Sequence, residues 1–501
     1  MKRILILTIC IVMFSMTNYA QELNSSDSVY EKYTSEQEVL NQSFSKYFYG
    51  NFVKMYSFDK AEFVNAIDSL RENYTDLLTL FEKENPDFNK SIIFKESKDI
   101  HYTFDKLLLE YPYYHERYTG KKETANARLD ENVKDFNNPA LLNIDSYVEY
   151  IKAFLYYQSK IELEKKAYHK LDNQQLNATL NLIPEYFSNQ VVIDYLKFYY
   201  LNNHIDNFGI KNFGNLYRNF VTTCKDTSYV NKIKTFYAEE VNGRKGHLIK
   251  IYKTVADYDL EIHLFLPEND NQQKKRPVIV FFNGGSWSEG KPDWSFPACQ
   301  SYADKGWVGV TVEYRLGYRQ GTLPFESDMD AKSAIRWLRQ HTDEYNIDVN
   351  KIVASGNSAG GHLVLATALV ENWNEKTDDL RYSSVPNVLM INAGVYDLTD
   401  DNTSWIRQGL RNRNQDENLV KEISPNYLIK KGLPPTLIIH GTNDRNVPFS
   451  SAKEFVDKMK LEGNDIEFHP LEGAGHFIWW GQYGKQVSEI RSKFLEKLGY
   501  K

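Results

Sequence analysis

The chain has 501 residues, too many for one ordinary hydrophobic core, so two or more domains are expected. Hydrophobic residues make up 42% of it and charged residues 25%, which is typical of a globular protein. The formal net charge of -7 is modest for this length and comes without an obvious basic patch. This balance argues against nucleic acid or an anionic membrane surface as a partner.

The first twenty residues have the layout of a cleavable secretory signal peptide. Lys2 and Arg3 precede an apolar run over residues 4–14, and the small residue Ala20 precedes Gln21. The run is short for a membrane span, and no later segment is apolar enough to cross a bilayer. We therefore expect a secreted or periplasmic protein, with an uncleaved N-terminal anchor as the alternative.

Residues 21–240 are expected to form an all-helical domain, whose function the sequence does not reveal. Glycine is sparse there, and apolar residues recur at helical spacing, as in the stripe of Val148, Ile151 and Leu155. Aromatic residues are abundant, for example tyrosines within residues 111–114. Such rings could stack on sugars, but the stronger interpretation makes them core residues whose hydroxyl groups reach water at helix edges.

From about residue 241 the pattern changes to short strands. Residues 247–252 and 258–266 predict an antiparallel pair, after which six short apolar runs alternate with helical segments. This alternation predicts a parallel sheet covered by helices on both faces, and a capping box at Ser451 and Glu454 predicts the start of one helix. The six runs are residues 278–282, 308–312, 352–354, 388–391, 436–439 and 466–469.

The third of these runs leads into a G-x-S-x-G pentapeptide, residues 356–360, with Ser358 at its centre. Five residues alone are a weak signal, but a strand before them and an apolar helix after them are the context that the motif requires. Gly356 and Gly360 leave space around a strained turn. Ser358 is therefore the candidate nucleophile.

A serine hydroxyl needs a base that can take its proton and later return it to the leaving group. His476 lies in a glycine-lined loop after the last predicted strand and is the expected base. His440, His469 and His362 are rivals. His440 is expected to brace the backbone instead.

The imidazole in turn needs a carboxylate that fixes its tautomer. Asp444 follows the run 436–439 by a tight turn and is the expected acid. Asp397 also follows a predicted strand and is its rival, with a loop cap as its alternative role.

Negative charge on a reacting carbonyl oxygen needs fixed N–H donors. Ala359, at the start of the helix, supplies one, and Gly284 or Gly285 in the loop after residues 278–282 supplies another. Ser286 and Trp287 are expected to line the acyl side of the site, although Trp287 could equally be a core residue.

Residues from about 245 to 501 resemble the α/β-hydrolase superfamily. They are similar to its carboxylesterase and hormone-sensitive-lipase-like branch and to secreted bacterial acetyl and feruloyl esterases. The resemblance implies the order nucleophile, acid, base for Ser358, Asp444 and His476. Besides the pentapeptide, it rests on residues 314–316, 330–332, 335–338 and 434–437.

One residue departs from that resemblance. The oxyanion loop of the family usually begins with histidine, and this chain has Asn283. An asparagine side chain can also bond to the backbone. We therefore expect altered loop geometry rather than lost activity.

The sequence as a whole predicts an α/β class, with an α/β-hydrolase domain over residues 241–501, a helical domain over 21–240 and a signal peptide over 1–20. The expected function is that of a secreted serine carboxylic-ester hydrolase. The resemblance implies a small-molecule or carbohydrate ester substrate, from which an acetyl or hydroxycinnamoyl group is removed.

Two other functions stay open. A serine peptidase of the prolyl-oligopeptidase kind shares the order of the three residues, and a glycan- or peptide-binding protein with an inactive hydrolase domain is favoured only by Asn283. Cys224 and Cys299 are spaced for neither a metal site nor a redox pair and are expected to be buried free thiols, with a single disulfide between them as the alternative. The serine-esterase mechanism needs no metal or organic cofactor, and none is expected. The polar segment 400–418 is expected to form a lid or pocket wall.

Overall fold

A computed structural model describes residues 27–165, 173–256, 258–268 and 275–500. The expected signal peptide over residues 1–20 lies outside these ranges. Among the described residues, no helix is both long enough and apolar enough to cross a bilayer. The chain forms two compact units: a first unit of Met1–Gln158 with Pro184–Ile193, and a second unit of Ser159–Ile183 with Asp194–Lys501.

The N-terminal half is helical, as predicted. Sparse glycine and helical spacing of apolar residues explain the long helices, and Asp59 caps one of them by accepting a hydrogen bond from Glu62 N at 2.9 Å. The helices are α1 Asp27–Tyr47, α2 Phe52–Ser57, α3 Lys60–Glu84, α4 Lys90–Thr119, α5 Asp145–Lys165, α6 Gln174–Tyr186, α7 Gln190–Phe208, α8 Gly214–Thr223 and α9 Thr227–Gly243.

Aromatic side chains fill the core of the first unit. Tyr56, Phe63 and Tyr102 are fully buried there. Tyr111, from the aromatic stretch noted in the sequence, is also buried, and its hydroxyl donates to Phe58 O at 2.9 Å. This tyrosine therefore has the core role that the stronger interpretation predicted.

All eight predicted strands are confirmed, and they form one sheet in the second unit. The strand order is β1-β2-β4-β3-β5-β6-β7-β8; β2 pairs antiparallel with β1 and β4, and the other pairs are parallel. The strands are β1 Leu248–Val255, β2 Tyr258–Phe265, β3 Arg276–Phe282, β4 Val308–Val312, β5 Ile347–Asn357, β6 Val388–Asn392, β7 Thr436–Gly441 and β8 Ile466–Leu471.

Helices cover both faces of the sheet, because alternate residues of its central strands are apolar on both sides. Val278 and Val280 of β3 face one buried cluster, and Ile279 and Phe281 face the other. Helices α12, α13, α14 and α15 contribute to the first cluster, and α10 and α16 contribute to the second. The helices are α10 Phe296–Ala303, α11 Gly317–Gln320, α12 Pro324–Gln340, α13 Ala359–Leu369, α14 Ser404–Asn412, α15 Phe449–Leu461 and α16 Gly481–Lys497.

The structure corrects one detail of the sequence analysis and adds to two others. The capping-box prediction was wrong, because α15 already begins at Phe449 and Ser451 Oγ donates to Pro448 O at 2.7 Å. Cys224 and Cys299 are both free thiols. The domain division expected at residue 240 stays a prediction, while residues 194–240 belong to the same compact unit as the sheet.

A buried ionic cluster joins β1, the segment after β4 and helix α12. The fully buried Asp330 carboxylate lies 2.6 Å from Lys253 Nζ and 2.8 Å from Arg315 Nη2. Glu375 completes the cluster at 2.9 Å from Lys253 and 3.0 Å from Arg315. Burial alone would raise the pKa of Asp330, but the two cations outweigh burial and lower it. The cluster fixes Arg315, one residue after Tyr314, against α12.

We expect Asp330→Ala to lower the free energy of unfolding by about 3–5 kcal/mol, because it leaves two buried cations short of a partner. Asp457→Ala is the matched control, since its ion pair with Lys453 is exposed, and we expect a change of about 0.5 kcal/mol or less. Chemical denaturation of the full chain measures both. Equal denaturation midpoints for the two variants would contradict a stabilising role for the cluster.

Candidate active site

The turn after β5 holds Ser358 in a strained backbone conformation. Its φ of 54° and ψ of -122° are rare for residues other than glycine. The end of β6 supports the turn: Ser358 N donates to Asn392 O at 3.0 Å, and Asn392 Nδ2 donates to Asn357 Oδ1 at 2.8 Å. A Cβ on Gly360 would lie 2.0 Å from Phe282 O, so α13 starts directly against β3. The predicted strand, turn and helix around Ser358 are confirmed.

The loop after β3 lies beside this serine. A Cβ on Gly284 would lie 3.3 Å from Ser358 Cβ and 3.0 Å from Asn357 O. Gly285 has a φ of 110°, and a Cβ there would lie 2.0 Å from Glu289 O, so this position requires glycine. The structure therefore brings Gly284, one of the two glycines expected in the oxyanion loop, next to the expected nucleophile, and Gly285 follows it in the same loop.

Tyr314 fixes the direction of the peptide groups in this loop. Its hydroxyl donates to Asn283 O at 2.8 Å and to Gly284 O at 3.3 Å. Because N–H and C=O point in opposite directions across a trans peptide, the N–H groups of Gly284 and Gly285 point away from Tyr314. Burial, and then the negative charge of Glu289, raise the pKa of the Tyr314 hydroxyl. The hydroxyl therefore stays a donor near neutral pH.

Asn283 closes the loop where the resembling family usually has histidine. Its Nδ2 donates to Lys291 O at 2.5 Å, and its Oδ1 accepts from Ser295 Oγ at 2.6 Å. Asparagine thus makes the backbone contact that the sequence analysis considered possible. With asparagine in this position, Gly284 still lies against Ser358.

The far end of the loop is anchored to helices α7 and α9 of the same unit. Lys291 Nζ donates to Ile205 O at 3.1 Å and forms an ion pair with Glu240. Gly290 N donates to Asn207 O at 3.0 Å. Residues before position 240 therefore support the oxyanion loop. No local feature of the sequence indicated this role, because it depends on contacts over 50 residues or more along the chain.

The other residues expected around the site occupy different environments. Ala359 is the first residue of α13, where a backbone N–H has no acceptor within the helix. Ser286 is exposed, whereas Trp287 is only 2% exposed. The Trp287 ring lies 5.0 Å from the His362 ring and 6.5 Å from the Trp405 ring, measured between centroids. Trp287 thus belongs to the core, which the sequence analysis left open.

Trp405 belongs to α14, within the segment that we expected to be a lid or pocket wall. The segment also holds two arginines with partners of their own: Arg411 lies 2.7 Å from Glu417, and Arg407 lies 3.5 Å from Asp401. Its tryptophan therefore packs towards Trp287 while its arginines form ion pairs within the segment.

Asp444 and His476 meet at the ends of β7 and β8. His476 Nδ1 lies 2.8 Å from Asp444 Oδ2. The other carboxylate oxygen, Oδ1, accepts from the backbone N–H groups of Asn446 and Val447, both at 2.9 Å. A carboxylate at Nδ1 places the proton there and leaves Nε2 as the proton acceptor. The arrangement is that of a general base with an orienting acid.

The charge of Asp444 is set by its neighbours. Burial would raise the pKa of this carboxyl, but hydrogen bonds from His440 and His476 outweigh burial and hold the pKa well below its usual range. Asp444 is therefore ionised throughout the neutral range, and it can stabilise a positive charge that forms on His476.

The rival residues have other partners. His440 Nε2 lies 3.0 Å from Val447 O and 3.3 Å from Asp444 Oδ2, so it braces the acid loop as expected. His362 Nε2 donates to Ile423 O at 2.7 Å, and burial lowers the pKa of this ring to about 4.

The remaining two rivals make short-range contacts. His469 Nε2 lies 2.7 Å from Glu467 Oε1. Asp397 caps its own turn, because its Oδ1 accepts from Thr399 N at 2.8 Å and from Thr399 Oγ1 at 2.7 Å. These contacts favour His476 and Asp444 over their rivals.

Comparison with known proteins gives the family of the domain that holds Ser358 and Asp444. Residues 262–459 match the model of the BD-FAE family. The C-terminal half of the chain belongs to this α/β-hydrolase esterase family.

Individual relatives of the BD-FAE domain are esterases. Esterase LipC of Mycobacterium tuberculosis is 29% identical over 41% of this chain and 54% of its own length. The probable carboxylic ester hydrolase LipM of the same organism is 32% identical over 37% of this chain and 45% of its own length. The chain thus spans about half the length of these curated relatives. Esterase 2 of Thermogutta terrifontis is similar at 35% identity, over 51% of this chain and 96% of that chain, with a TM-score of 0.48.

Glu289, a residue that the sequence did not single out, lies within the loop after β3 of the BD-FAE domain. Its backbone N–H donates to Gly285 O at 3.0 Å, and its side chain is buried. Burial raises the pKa of this carboxyl to about 7. A glutamate between a serine and a glycine gave no signal of burial, because the burial arises from contacts distant in sequence.

Glu289 predicts a pH dependence of stability. Its folded pKa of about 7 exceeds the ordinary 4.5, so the contribution of Glu289 to stability is fully present below pH 4.5 and is lost as the pH rises to about 7. We expect Glu289→Gln to reduce this loss, which is on the order of 3 kcal/mol between pH 4.5 and 8. Denaturation of wild type and variant across this range measures the difference.

The exposed Glu454 on α15 supplies the control, and we expect Glu454→Gln to follow the wild-type pH dependence. If Glu289→Gln also followed it, Glu289 would not titrate with the shifted pKa.

Proposed function

We propose that the BD-FAE domain is a serine carboxylic-ester hydrolase that works through an acyl-enzyme. The observation that carries the proposal is the 2.8 Å contact between His476 Nδ1 and Asp444 Oδ2, in a sheet whose β5 ends in the strained Ser358. A strained serine and an oriented imidazole are the two groups that nucleophilic acyl transfer requires. The activities for which the relatives are named, esterase and probable carboxylic ester hydrolase, give further support.

In the proposed reaction, Ser358 Oγ attacks the ester carbonyl while His476 Nε2 takes its proton. The carboxylate of Asp444 stabilises the resulting imidazolium. The N–H groups of Gly284, Gly285 and Ala359 stabilise the oxyanion, and removal of one such donor typically costs about 3–4 kcal/mol. His476 then protonates the leaving alkoxide, and a water activated by the same imidazole releases the acid.

The proposal includes secretion and a carbohydrate ester substrate with an acetyl or hydroxycinnamoyl group. The signal-like layout of residues 1–20 and the resemblance to secreted acetyl and feruloyl esterases support both parts. The peptidase alternative has less support, because prolyl oligopeptidases usually carry a propeller ahead of the catalytic domain and the described residues up to 243 are helical. The binding-protein alternative rested on Asn283, which closes the loop in this structure.

We expect Ser358→Ala to reduce hydrolysis of 4-nitrophenyl acetate to background, because no other nucleophile is proposed. His476→Ala should lose activity similarly, whereas His469→Ala, which changes a histidine at the edge strand β8, should retain it. Hydrolysis rates on 4-nitrophenyl acetate measure the loss of esterase activity in each variant. Rates of the wild type on aminoacyl-proline amides measure its peptidase activity for comparison. Unchanged turnover in Ser358→Ala would refute the proposed nucleophile, and faster cleavage of the amides would favour a peptidase.

Asp444→Asn should lower kcat by about 10³- to 10⁴-fold, because the amide no longer fixes the imidazole tautomer or stabilises its positive charge. Asp397→Asn is the matched control, since Asp397 caps a turn after another parallel strand. Steady-state kinetics on 4-nitrophenyl acetate measure kcat for both variants. A large loss of kcat in Asp397→Asn with little loss in Asp444→Asn would reverse the assignment.

A further inference from the structure

Directly after His476 the chain exposes two large aromatic rings. Phe477 is 42% exposed and Trp480 is 47% exposed, whereas Ile478 between them is fully buried. Trp479 is partly buried against the same cluster as Ile478. The buried residues anchor the segment, so the exposed rings sit on a supported backbone. We call Phe477, Trp479 and Trp480 the aromatic platform.

The rings of the platform are arranged in a regular way. The planes of Phe477 and Trp480 are within 12° of parallel, with centroids 6.3 Å apart. Trp479 lies edge-on to Phe477 at 5.5 Å. The His476 ring is 5.3 Å from Phe477 and 5.6 Å from Trp479. The platform is therefore contiguous with the imidazole.

The position of the platform relates it to one part of an ester. This inference rests on the proposed function, in which His476 transfers its proton to the leaving oxygen. The alcohol portion of the substrate therefore lies beside His476. The acyl portion is bonded to Ser358, which lies against the loop of Gly284. Rings that adjoin His476 are thus placed to contact the alcohol portion.

The chemistry of the segment limits what that alcohol is. Residues 473–484 contain no lysine, arginine, aspartate or glutamate, so the segment offers no charge of its own for a phosphate or a carboxylate. Exposed aromatic rings instead favour a ligand with a flat apolar face, and indole N–H groups can donate to hydroxyl groups at its rim. A pyranose ring has this combination, with C–H bonds on its faces and hydroxyl groups around its edge.

We propose that Phe477, Trp479 and Trp480 form a subsite that stacks against a sugar ring of the alcohol portion of the substrate. The platform selects for carbohydrate esters and contributes little to esters of small alkyl alcohols. The acyl group is recognised elsewhere, on the side of Ser358 and the oxyanion loop.

The test compares two esters with the same acyl group, an acetylated xylotetraose and ethyl acetate. Both give the same acetyl-enzyme, so a difference between them reports on the alcohol portion. We expect Trp480→Ala to lower kcat/KM for the sugar ester about tenfold or more, mainly through KM. Its rate on ethyl acetate should stay close to wild type. Tyr427→Ala, which removes an exposed aromatic ring at another position, is the matched control and should leave both rates unchanged.

A binding measurement separates this inference from the proposed function. Unacetylated xylotetraose titrated into Ser358→Ala should quench tryptophan fluorescence, and Ser358→Ala combined with Trp480→Ala should bind it about tenfold more weakly or worse. Full ester turnover by Ser358→Ala would refute the proposed nucleophile. The titration would still show whether Trp480 contributes to binding of the sugar, because it uses a sugar without an ester bond.

Three outcomes would overturn the subsite: equal loss of both ester activities in Trp480→Ala, equal sugar binding with and without Trp480, or a dimer of the wild-type protein that Trp480→Ala converts to a monomer. The last result would assign the platform to contact between copies of the chain.

Discussion

The hydrogen bond between His476 and Asp444 exists because two neighbouring parallel strands end at the same edge of the sheet. β7 leads to the acid and β8 to the base, and their loops touch so closely that a Cβ on Gly441 would lie 2.3 Å from Ala474 O. Strand β5, two positions along the sheet from β7, ends at that edge, and Ser358 follows it directly. A parallel sheet therefore assembles groups that are up to 118 residues apart in sequence, from Ser358 to His476.

The position of the oxyanion loop depends on a second set of contacts, made at both ends of the loop. Tyr314 holds the carbonyl groups of the loop, while the next residue, Arg315, is fixed in the buried ionic cluster around Asp330. The other end of the loop is tied through Lys291 to α7 and α9. The loop is thus held from the sheet side and from the helical side, which explains how it can place Gly284 against Ser358 without the usual histidine.

Local sequence patterns predicted much of this arrangement, because the features concerned are local in origin. Apolar runs between helical segments marked the strands, and the pentapeptide around Ser358 marked the strained turn. Features that depend on distant contacts could not be decided from local sequence patterns. They are the burial of Glu289, the core position of Trp287, and the support of the oxyanion loop by residues before position 240. The start of α15 was also missed, since that helix begins at Phe449, two residues before the serine that was expected to cap it.

Ser358, the oxyanion loop and the pair of His476 and Asp444 are proposed to act together on one ester group of the substrate. A crystal structure of the protein after reaction with a small fluorophosphonate tests this most directly. We expect phosphorus bonded to Ser358 Oγ, with the phosphoryl oxygen within hydrogen-bonding distance of the N–H groups of Ala359 and of Gly284 or Gly285. An unmodified Ser358, or a phosphoryl oxygen that points away from these groups, would contradict it.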